Sequence, residues 1–497
     1  MILSYFLKSS YQNTLIIIIL ESKFETSFKQ QLSLTSISID ELIGRHHTRD
    51  DIDKLVMGYN VILNKPSLRD AIINILSSNL NLSTDKGREG MDYWTMFVFG
   101  TARVSLNIDY DRLQNLVNNH ASLRKVVGLN DFDGHQQYGL TTLKDNIGLI
   151  SEDILTQINT LIVKEGQAFV HPYSDSSILN CRADSYVAMT DVHFPTDISL
   201  LFDAVRKVIE LVSQLCKSNN IKGSRQHKHN SKKLKKLMHK ARKSKKRQEA
   251  ETKSAHQEYI DCAIEQLGKA QEQLDLLQSR GITFIQQDEI NQYQEYANTF
   301  IDQIERRVLK GETIPHKEKI FSIFEPHTEW VSKGKTGVPV EFGVKLAVVQ
   351  DQYQFILHHH IMQNQQDVHI AQDLVLAVQE KYGKIDSISL DRGFWSPENE
   401  EAIGNHVRKV VMPKKGYKSQ ERATIESDKE FTKLRYQHSA VESGINSLQE
   451  HGLKKVPDKG IESYKRYIAF GIVGYNTHLL GAIALARHYQ KLSKQVA

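Results

Sequence analysis

The chain has 497 residues and a net charge of +5, with 25% charged and 40% hydrophobic residues. This length holds two or three domains with a large core, and the composition is that of an ordinary soluble protein, which excludes a disordered or fibrous chain. The three cysteines, Cys181, Cys216 and Cys262, form no metal-ligand spacing and fit a reducing cytosol. The apolar run Leu15–Leu20 is too short to span a bilayer, so we expect no membrane segment.

Helical signals follow a poorly patterned extension at residues 1–50. Ser67 to Asp70 has the pattern of a capping box, and residues 51–170 are predicted to form an all-α N-terminal domain. Within it, Thr141 to Ile162 is compatible with two helices around a tight turn at Gly148, as in helix-turn-helix proteins that bind DNA. The alternative is that these helices simply pack on the rest of the protein.

A β-prone segment beginning at Arg182 ends at Pro195, and Thr196 or Asp197 is positioned to cap the helix that follows. Residues 171–217 are therefore predicted to be the first part of an α/β core. The helix carries an apolar stripe that can pack against a sheet, made of Leu201, Val205, Val208, Val212 and Leu215.

The next segment is strongly basic, with positive charge predicted on nearly every face of a helix. Such a density of charge repels itself unless an anion is near, and DNA phosphate is the expected partner. A solvated helix face is the alternative. The lysines at this spacing contact backbone charge and not base sequence. The predicted DNA-binding residues here are Lys232, Lys233, Lys235, Lys236, Arg242, Lys243, Lys245, Lys246 and Arg247.

Two apolar stripes between Tyr259 and Leu309, separated by a turn at Gly281, predict a helical hairpin. Together with the basic segment, the hairpin forms a predicted helical insertion at residues 218–315. An intramolecular hairpin is the simpler interpretation, and a dimer contact is the alternative.

Strand patterning returns in residues 316–460. Val338–Val349 and Gln352–His360 are predicted to be antiparallel strands joined at Asp351. A short buried strand then ends at Asp391, Gly393 turns the chain away, and a helix opens at Ser396. An aspartate at the end of a central strand is well placed to bind a metal ion, because rigid backbone orients its oxygens.

A fifth strand, Lys409–Met412, is followed by Lys414 and Lys415 on a loop that is suited to a phosphate group. Phe431–Leu448 is predicted to be one amphipathic helix on which Glu442 lies beside the apolar stripe. In that position the carboxylate can face a cleft; the alternative is an ordinary solvated glutamate. Residues 461–497 are predicted to be a C-terminal helix.

Three stretches resemble the insertion-sequence transposases of the DDE class, and most closely the ISNCY-like group. Their order along the chain, Asp, Asp and then Glu, is that of the family. In place of the Tyr, Arg and Lys that flank the glutamate in the better known signature, this chain has Arg435, His438 and Gln449. The matching stretches are Asp184-Ser185 leading into His193-Phe194-Pro195-Thr196-Asp197, Asp391-Arg392-Gly393, and Arg435 to Ser443.

The resemblance implies a ribonuclease H-like α/β core, with a mixed five-stranded sheet and helices, interrupted by the helical insertion. It implies that Asp184, Asp391 and Glu442 are catalytic and hold two Mg²⁺ or Mn²⁺ ions, with Asp191 as the alternative first acid. His193, Arg435 and His438 are possible accessory residues.

The implied reaction is metal-dependent cleavage of double-stranded DNA at the element ends, followed by attack of the 3′-OH on target DNA. A homodimer or larger assembly would hold the two ends, in the bacterial cytoplasm at the nucleoid. Two other functions stay open: a ribonuclease H-like nuclease without strand transfer, and an inactive DNA-binding relic.

Overall fold

The structure is a computed structural model, and it describes residues 50–80, 91–129, 136–170, 178–221, 225–244, 249–278, 282–332 and 340–496. The predicted extension lies outside the described residues except for Asp50. The predicted turn at Gly281 and three of the predicted DNA-binding residues, Lys245, Lys246 and Arg247, also lie outside them.

Helices dominate the described chain. In chain order they are α1 (Asp51–Leu63), α2 (Pro66–Asn79), α3 (Tyr93–Ser105), α4 (Tyr110–Asn119), α5 (Ala121–Val126), α6 (Leu140–Ile147), α7 (Glu152–Val170), α8 (Asp197–Ser218), α9 (His227–Lys243), α10 (Glu249–Gln278), α11 (Phe284–Ile304), α12 (Asp367–Tyr382), α13 (Pro397–Gly404), α14 (Gln420–Ser427), α15 (Lys429–Gln437), α16 (Ser439–Leu448) and α17 (Ile461–Val496). The strands are β1 (Leu179–Thr190), β2 (Glu329–Ser332), β3 (Val340–Gln350), β4 (Ile356–Met362), β5 (Ile385–Leu390), β6 (Lys409–Val411) and β7 (Lys455–Val456).

The chain divides into two compact units. The first unit contains the residues before Thr190 and those from Val344 onwards, and the second contains Thr190–Gly343. The second unit therefore interrupts the first, as an insertion between β1 and most of β3. Its boundaries are wider than the predicted insertion at 218–315, because α8 belongs to it.

A mixed sheet forms the centre of the first unit. Within the described residues it has seven strands and not the predicted five. The order runs β2, β3, β1, β5 and β6, while β4 also pairs with β3 and β7 pairs with β1. The β1–β5 and β5–β6 pairs are parallel, and the β3–β4 pair is antiparallel. The prediction of an α/β protein with a mixed sheet and helical regions is confirmed at this level, and the two predicted antiparallel strands are β3 and β4.

The N-terminal helices do not form a separate core. Their buried apolar residues belong to one hydrophobic cluster with those of α16 and α17 and with β3 residues such as Val344 and Leu346. The close crossing of α1 and α17 depends on small residues, since a Cβ at Gly481 would lie 1.7 Å from the Lys54 carbonyl oxygen. These helices therefore pack on the rest of the unit, while a DNA-binding role for them stays a prediction. Two helices do flank Gly148, which caps α6.

The C-terminal helix is the one described helix long and apolar enough to cross a membrane by length and composition. However, 83% of its most apolar stretch is buried inside the protein. The core helix of a soluble protein meets the same criteria, so this helix is weak evidence for a membrane span.

The second unit is built from α8 to α11. Thr196 caps α8 through a reciprocal bond with Ser199, as the sequence predicts for this position. The apolar stripe of α8 is buried, but against the other helices of this unit and not against a sheet; Val205 packs with α9–α11 residues, and Val208 with residues of the α10–α11 hairpin. The pattern predicted the buried face correctly, and only the long-range contacts decided its partner.

Candidate active site

The first two predicted acids are neighbours across the parallel pair of β1 and β5. In the register of this pair Ala183 lies opposite Leu390, and Asp184 and Asp391 are the next residues on each strand. Adjacent strands are about 4.8 Å apart, so the two carboxylates leave the sheet side by side. Leu390 is the last residue of β5, which confirms that Asp391 follows directly on the end of a buried strand.

The same face carries polar side chains at every second residue below the two acids. Arg182 lies opposite Ser389, and Asn180 lies opposite Ser387, whose Oγ donates to Asn180 Oδ1 at 2.7 Å. The intervening residues, such as Ala183 and Leu390, are buried on the other face. This alternation explains why one face of β1 and β5 is polar within an otherwise apolar sheet.

Asp184 is the acid of the cluster whose pKa is clearly shifted. Its pKa is raised to about 7, chiefly by burial. The charges of Asp391, Glu442 and Asp367 add to the rise, while the Ser185 amide, which donates to Asp184 Oδ1 at 2.7 Å, opposes it. Three carboxylates therefore act on Asp184, and repulsion between like charges makes the cluster a natural cation site. The alternative first acid, Asp191, is exposed and follows the end of β1.

The helix that carries Glu442 differs from the prediction. Residues 429–448 form two helices, α15 and α16, which meet at His438, so the prediction of one continuous helix is wrong. At this junction the His438 amide bonds to the Arg435 carbonyl and the Val441 amide to the His438 carbonyl, which tightens the turn from i−4 to i−3 spacing. Arg435 and His438 thus no longer share one straight polar row with Glu442.

His438 is the accessory residue that the structure brings to the cluster. Its Nδ1 lies 3.0 Å from Ser389 Oγ, two residues before Asp391. Burial lowers the pKa of His438, and the carboxylates of Asp391 and Glu442 act in the opposite direction. Its Nε2 is buried without a hydrogen-bond partner in the described protein, so this atom is available to a ligand that enters the cluster.

Gly444 permits the approach of α16 to the sheet. A Cβ at this position would lie 2.4 Å from Nε2 of the Gln350 side chain, at the end of β3, which is well inside contact distance. Gly444 is buried, two residues after Glu442 and on the face of the helix turned to the sheet. A small residue is therefore needed to keep Glu442 at its distance from β1 and β5.

A fourth carboxylate, Asp367, was not predicted. It is the first residue of α12, accepts a bond from Ser185 Oγ at 2.6 Å, and pairs with Lys345 at 3.1 Å. A Cβ at Gly393 would lie 3.0 Å from Asp367 Oδ2, so the glycine after Asp391 allows this approach. Gly393 was predicted to let the chain turn, and in the structure the close approach of Asp367 also favours a residue without a side chain at this position. An acid in the first turn of a helix was the only sequence signal, and it is a common one.

The cluster can hold a hard divalent cation, since carboxylate oxygens are the ligands that Mg²⁺ and Mn²⁺ prefer. Comparisons with protein-family models, with curated proteins and with solved structures find no match. The interpretation of the site therefore depends on its geometry and on the motifs in the sequence.

The other accessory residues have different environments. His193 belongs to the second unit, where Nε2 contacts Asp203 at 2.7 Å and Nδ1 contacts the Phe194 carbonyl, and the Asp203 carboxylate raises the pKa of His193. Arg435 is exposed on α15, one turn before His438. These contacts give His193 a structural partner within its own unit.

The basic helix α9 has one apolar face. Leu234, Met238 and Ala241 are buried, so the prediction of positive charge on nearly every face is wrong. The remaining surface is basic and exposed. Lys233 and Lys240 pair with Glu265 and Glu258 of α10 at 3.2 and 2.7 Å.

Four other lysines on α9 keep their charge available. Within the described residues, no ion pair involves Lys232, Lys235, Lys236 or Lys243, and Arg242 is likewise exposed. These residues are therefore the part of the predicted DNA-binding set on which solvent and anions can act directly.

The loop after β6 holds its two predicted lysines differently. Lys414 is half-buried with its ammonium 5.2 Å from the centre of the Trp395 ring, while Lys415 is exposed. Trp395 lies four residues after Asp391 and donates to Glu400 at 3.2 Å. The ring contact holds Lys414 against the segment that follows the second acid.

Proposed function

We propose that this protein is a DDE-class DNA transposase of an insertion sequence, with a ribonuclease H-like catalytic core. The observation that carries the proposal is the side-by-side position of Asp184 and Asp391 on β1 and β5, with Glu442 acting on the same carboxyl group. Three acids far apart in sequence, in the family's order, thus share one site.

The sheet order supports the proposed core. The seven-stranded sheet has two short strands, β2 beside β3 and β7 beside β1, and its other five strands lie in the spatial order β4, β3, β1, β5 and β6. Numbered along the chain among these five, the order is third, second, first, fourth and fifth. This is the arrangement expected of a ribonuclease H-like sheet, with its first two acids on the central neighbouring strands. The second unit is then an insertion between the first and second strands.

The acids fit two Mg²⁺ or Mn²⁺ ions by the chemistry of their donors. When bound, such ions activate the attacking oxygen and stabilise the leaving oxygen of an in-line phosphodiester displacement. Asp184, Asp391 and Glu442 would be the ligands. His438, held by Ser389, presents its partnerless Nε2 at the same site and is positioned to donate to a phosphate oxygen or to a water.

The exposed lysines of α9 support contact with the DNA backbone, since each neutralised phosphate releases counterions. We further propose double-stranded element ends and target DNA as partners, at least a homodimer to hold two ends, and a cytoplasmic, nucleoid-associated location. Water would attack first, and the 3′-OH that it frees would then attack target DNA at the same acids.

The test is cleavage and strand transfer on labelled DNA that carries the flanking element ends, with Mg²⁺ or Mn²⁺. Asp391→Asn should lose both activities and retain DNA, because it removes a metal ligand and leaves the DNA-binding lysines unchanged. The matched control is Asp373→Asn, an exposed aspartate on α12, which should behave like the wild type.

Each competing function has its own outcome in this assay. Cleavage without joined products would favour the nuclease without strand transfer. DNA retention with no cleavage by the wild-type protein would favour the DNA-binding relic and overturn the catalytic proposal.

A further inference from the structure

A second cluster of metal-ligating side chains lies in the first unit, outside the acid cluster. Asp51 is the first residue of α1, His451 lies in the turn Gln449–Leu453 that follows α16, and His478 is on α17. One ligand atom from each residue lies within 4.8 Å of the other two. Residues 400 positions apart in sequence thus converge on one point.

The geometry is close to that of a bound transition metal. His478 Nε2 lies 3.2 Å from Asp51 Oδ1 and donates to this carboxylate oxygen, so a bound ion would take the place of the Nε2 proton. The distance suits such an exchange, since ligand atoms at the corners of a tetrahedral site with bonds of about 2.0–2.1 Å are about 3.3 Å apart. The two imidazole rings have centroids 4.6 Å apart. Small side-chain movements would therefore be enough to close the three ligands around one ion.

The ring of His451 is already oriented for this role. Its Nδ1 lies 2.8 Å from the Ser105 carbonyl oxygen, which can only accept, so Nδ1 carries the proton and Nε2 keeps its lone pair. A backbone carbonyl on the distal nitrogen is a usual outer partner of a metal-binding histidine. His478 is mostly buried, with 11% of its side chain exposed.

The cluster opens on a cavity of about 350 Å³ whose lining includes Asp51, His451 and two further acids, Asp50 and Glu450. The cavity gives a cation and its remaining water ligands a route to Asp51 and His451. The surrounding carboxylates favour positive charge there. Lys54 Nζ, 2.9 Å from Asp51 Oδ1, supplies one positive charge that a cation would have to displace or tolerate.

We propose that Asp51, His451 and His478 form a binding site for one divalent transition-metal ion of the Zn²⁺ type. Two imidazoles and one carboxylate select this class of ion, whereas a set of carboxylates alone selects Mg²⁺ or Mn²⁺. The site does not depend on the transposase assignment, since none of its ligands belongs to the acid cluster.

The position of the site gives it a structural consequence. His451 and Gly452 leave helical geometry, with Gly452 at φ +91°, so the chain breaks just after the helix that carries Glu442. An ion there would link this break to α1 and α17. It therefore holds the C-terminal end of α16 in place.

The first experiment is titration of the full-length protein with Zn²⁺ in competition with a chromophoric chelator, in an Asp391→Asn background that weakens the acid cluster. We expect one equivalent bound, and at least about tenfold weaker binding in Asp51→Asn and His451→Gln, because each loses one of three ligands. His488→Gln, on α17 ten residues after His478, should bind as the background protein does. Equal binding by His451→Gln and the background would overturn the site.

A second measurement needs no substitution of the three proposed ligands. The electron paramagnetic resonance spectrum of one equivalent of Cu²⁺ bound to this background should show hyperfine lines from two imidazole nitrogens. A spectrum with oxygen ligands alone, or no Zn²⁺ binding in the titration, would mean that the three side chains form only a hydrogen-bonded cluster.

Discussion

The acid cluster and the basic helix α9 are two strongly charged regions of the described chain, and they are built in opposite ways. Asp184, Asp391, Glu442 and Asp367 come from four separate segments, and the charges of the other three raise the pKa of the partly buried Asp184. The charges of α9 are contiguous in sequence, exposed, and partly neutralised by glutamates of α10.

Single residues should therefore matter more in the acid cluster than in α9. A cluster of ligands around one point fails when one member is lost, because no neighbour can take its position. A row of exposed lysines acts through summed charge, so its effect is graded and screened by salt. The following predictions break or sharpen this contrast.

The largest effect is expected at the first acid. Asp184→Asn should lower metal-dependent cleavage about 10³-fold or more, because it removes a ligand that has no substitute in the cluster. Asp191→Asn is the matched comparison and should change the rate less than about threefold. Rates of cleavage on element-end DNA would measure both. If Asp191→Asn abolished cleavage and Asp184→Asn did not, the first acid would be misassigned.

The basic helix should respond in a graded way. Replacing Lys232, Lys235, Lys236 and Lys243 together by Gln should weaken DNA binding about 10–100-fold and lower the slope of log affinity against log salt by up to about 3.6. Replacing the ion-paired Lys233 and Lys240 should weaken DNA binding less per residue. Filter binding or fluorescence anisotropy over a range of salt would measure this. An unchanged salt slope in the fourfold variant would exclude α9 as a phosphate-contacting surface.

Helix α16, which carries Glu442, and helix α10, which pairs with α9, should differ in their tolerance of an added methyl group. Gly444→Ala should destabilise the protein by about 1–3 kcal/mol and slow cleavage, because the Cβ meets Gln350 and displaces Glu442. Gly268→Ala, in the exposed interior of α10 with no atom within 4 Å of its Cβ, should stabilise by about 0.5–1 kcal/mol. Denaturant unfolding would measure both changes. Equal effects of the two substitutions would contradict the packing of α16.

The smallest effect is expected from pH. The native pKa of Asp184 is about 7, raised chiefly by burial, whereas its ordinary value is 3.8. The native protein keeps a proton that the unfolded chain loses between these values, so the free energy of unfolding falls as pH rises through this window.

In the presence of a chelator, the wild-type protein should therefore lose about 1–2 kcal/mol of stability relative to Asp184→Asn between about pH 4 and about pH 8. Denaturant unfolding of both proteins at the two pH values is the measurement. Added Mg²⁺ at the higher pH should restore stability to the wild type alone. A difference between the two proteins that does not change with pH would contradict the electrostatic description of the cluster.

Much of the local structure was predictable from the residues. The strand that ends before Asp391, the cap at Thr196, the hairpin of β3 and β4 and the charge of α9 depend on neighbours within a few positions, through side-chain period, capping and composition. For the same reason the buried face of α8 was predicted correctly, while its partner was not. The break at His438 was missed, because no proline or glycine marks it in the sequence.

By itself, the sequence determined the order of the three acids, the strand and helix that present two of them, and the position of the positive charge. Only the tertiary structure decided that Asp184 and Asp391 occupy neighbouring places in one register, that Asp367 joins them, and that Asp51 meets His451 and His478. These facts depend on strand register and on contacts between segments hundreds of residues apart, and no local pattern specifies such contacts. The pKa of Asp184 likewise follows from burial and neighbours that exist only in the folded chain.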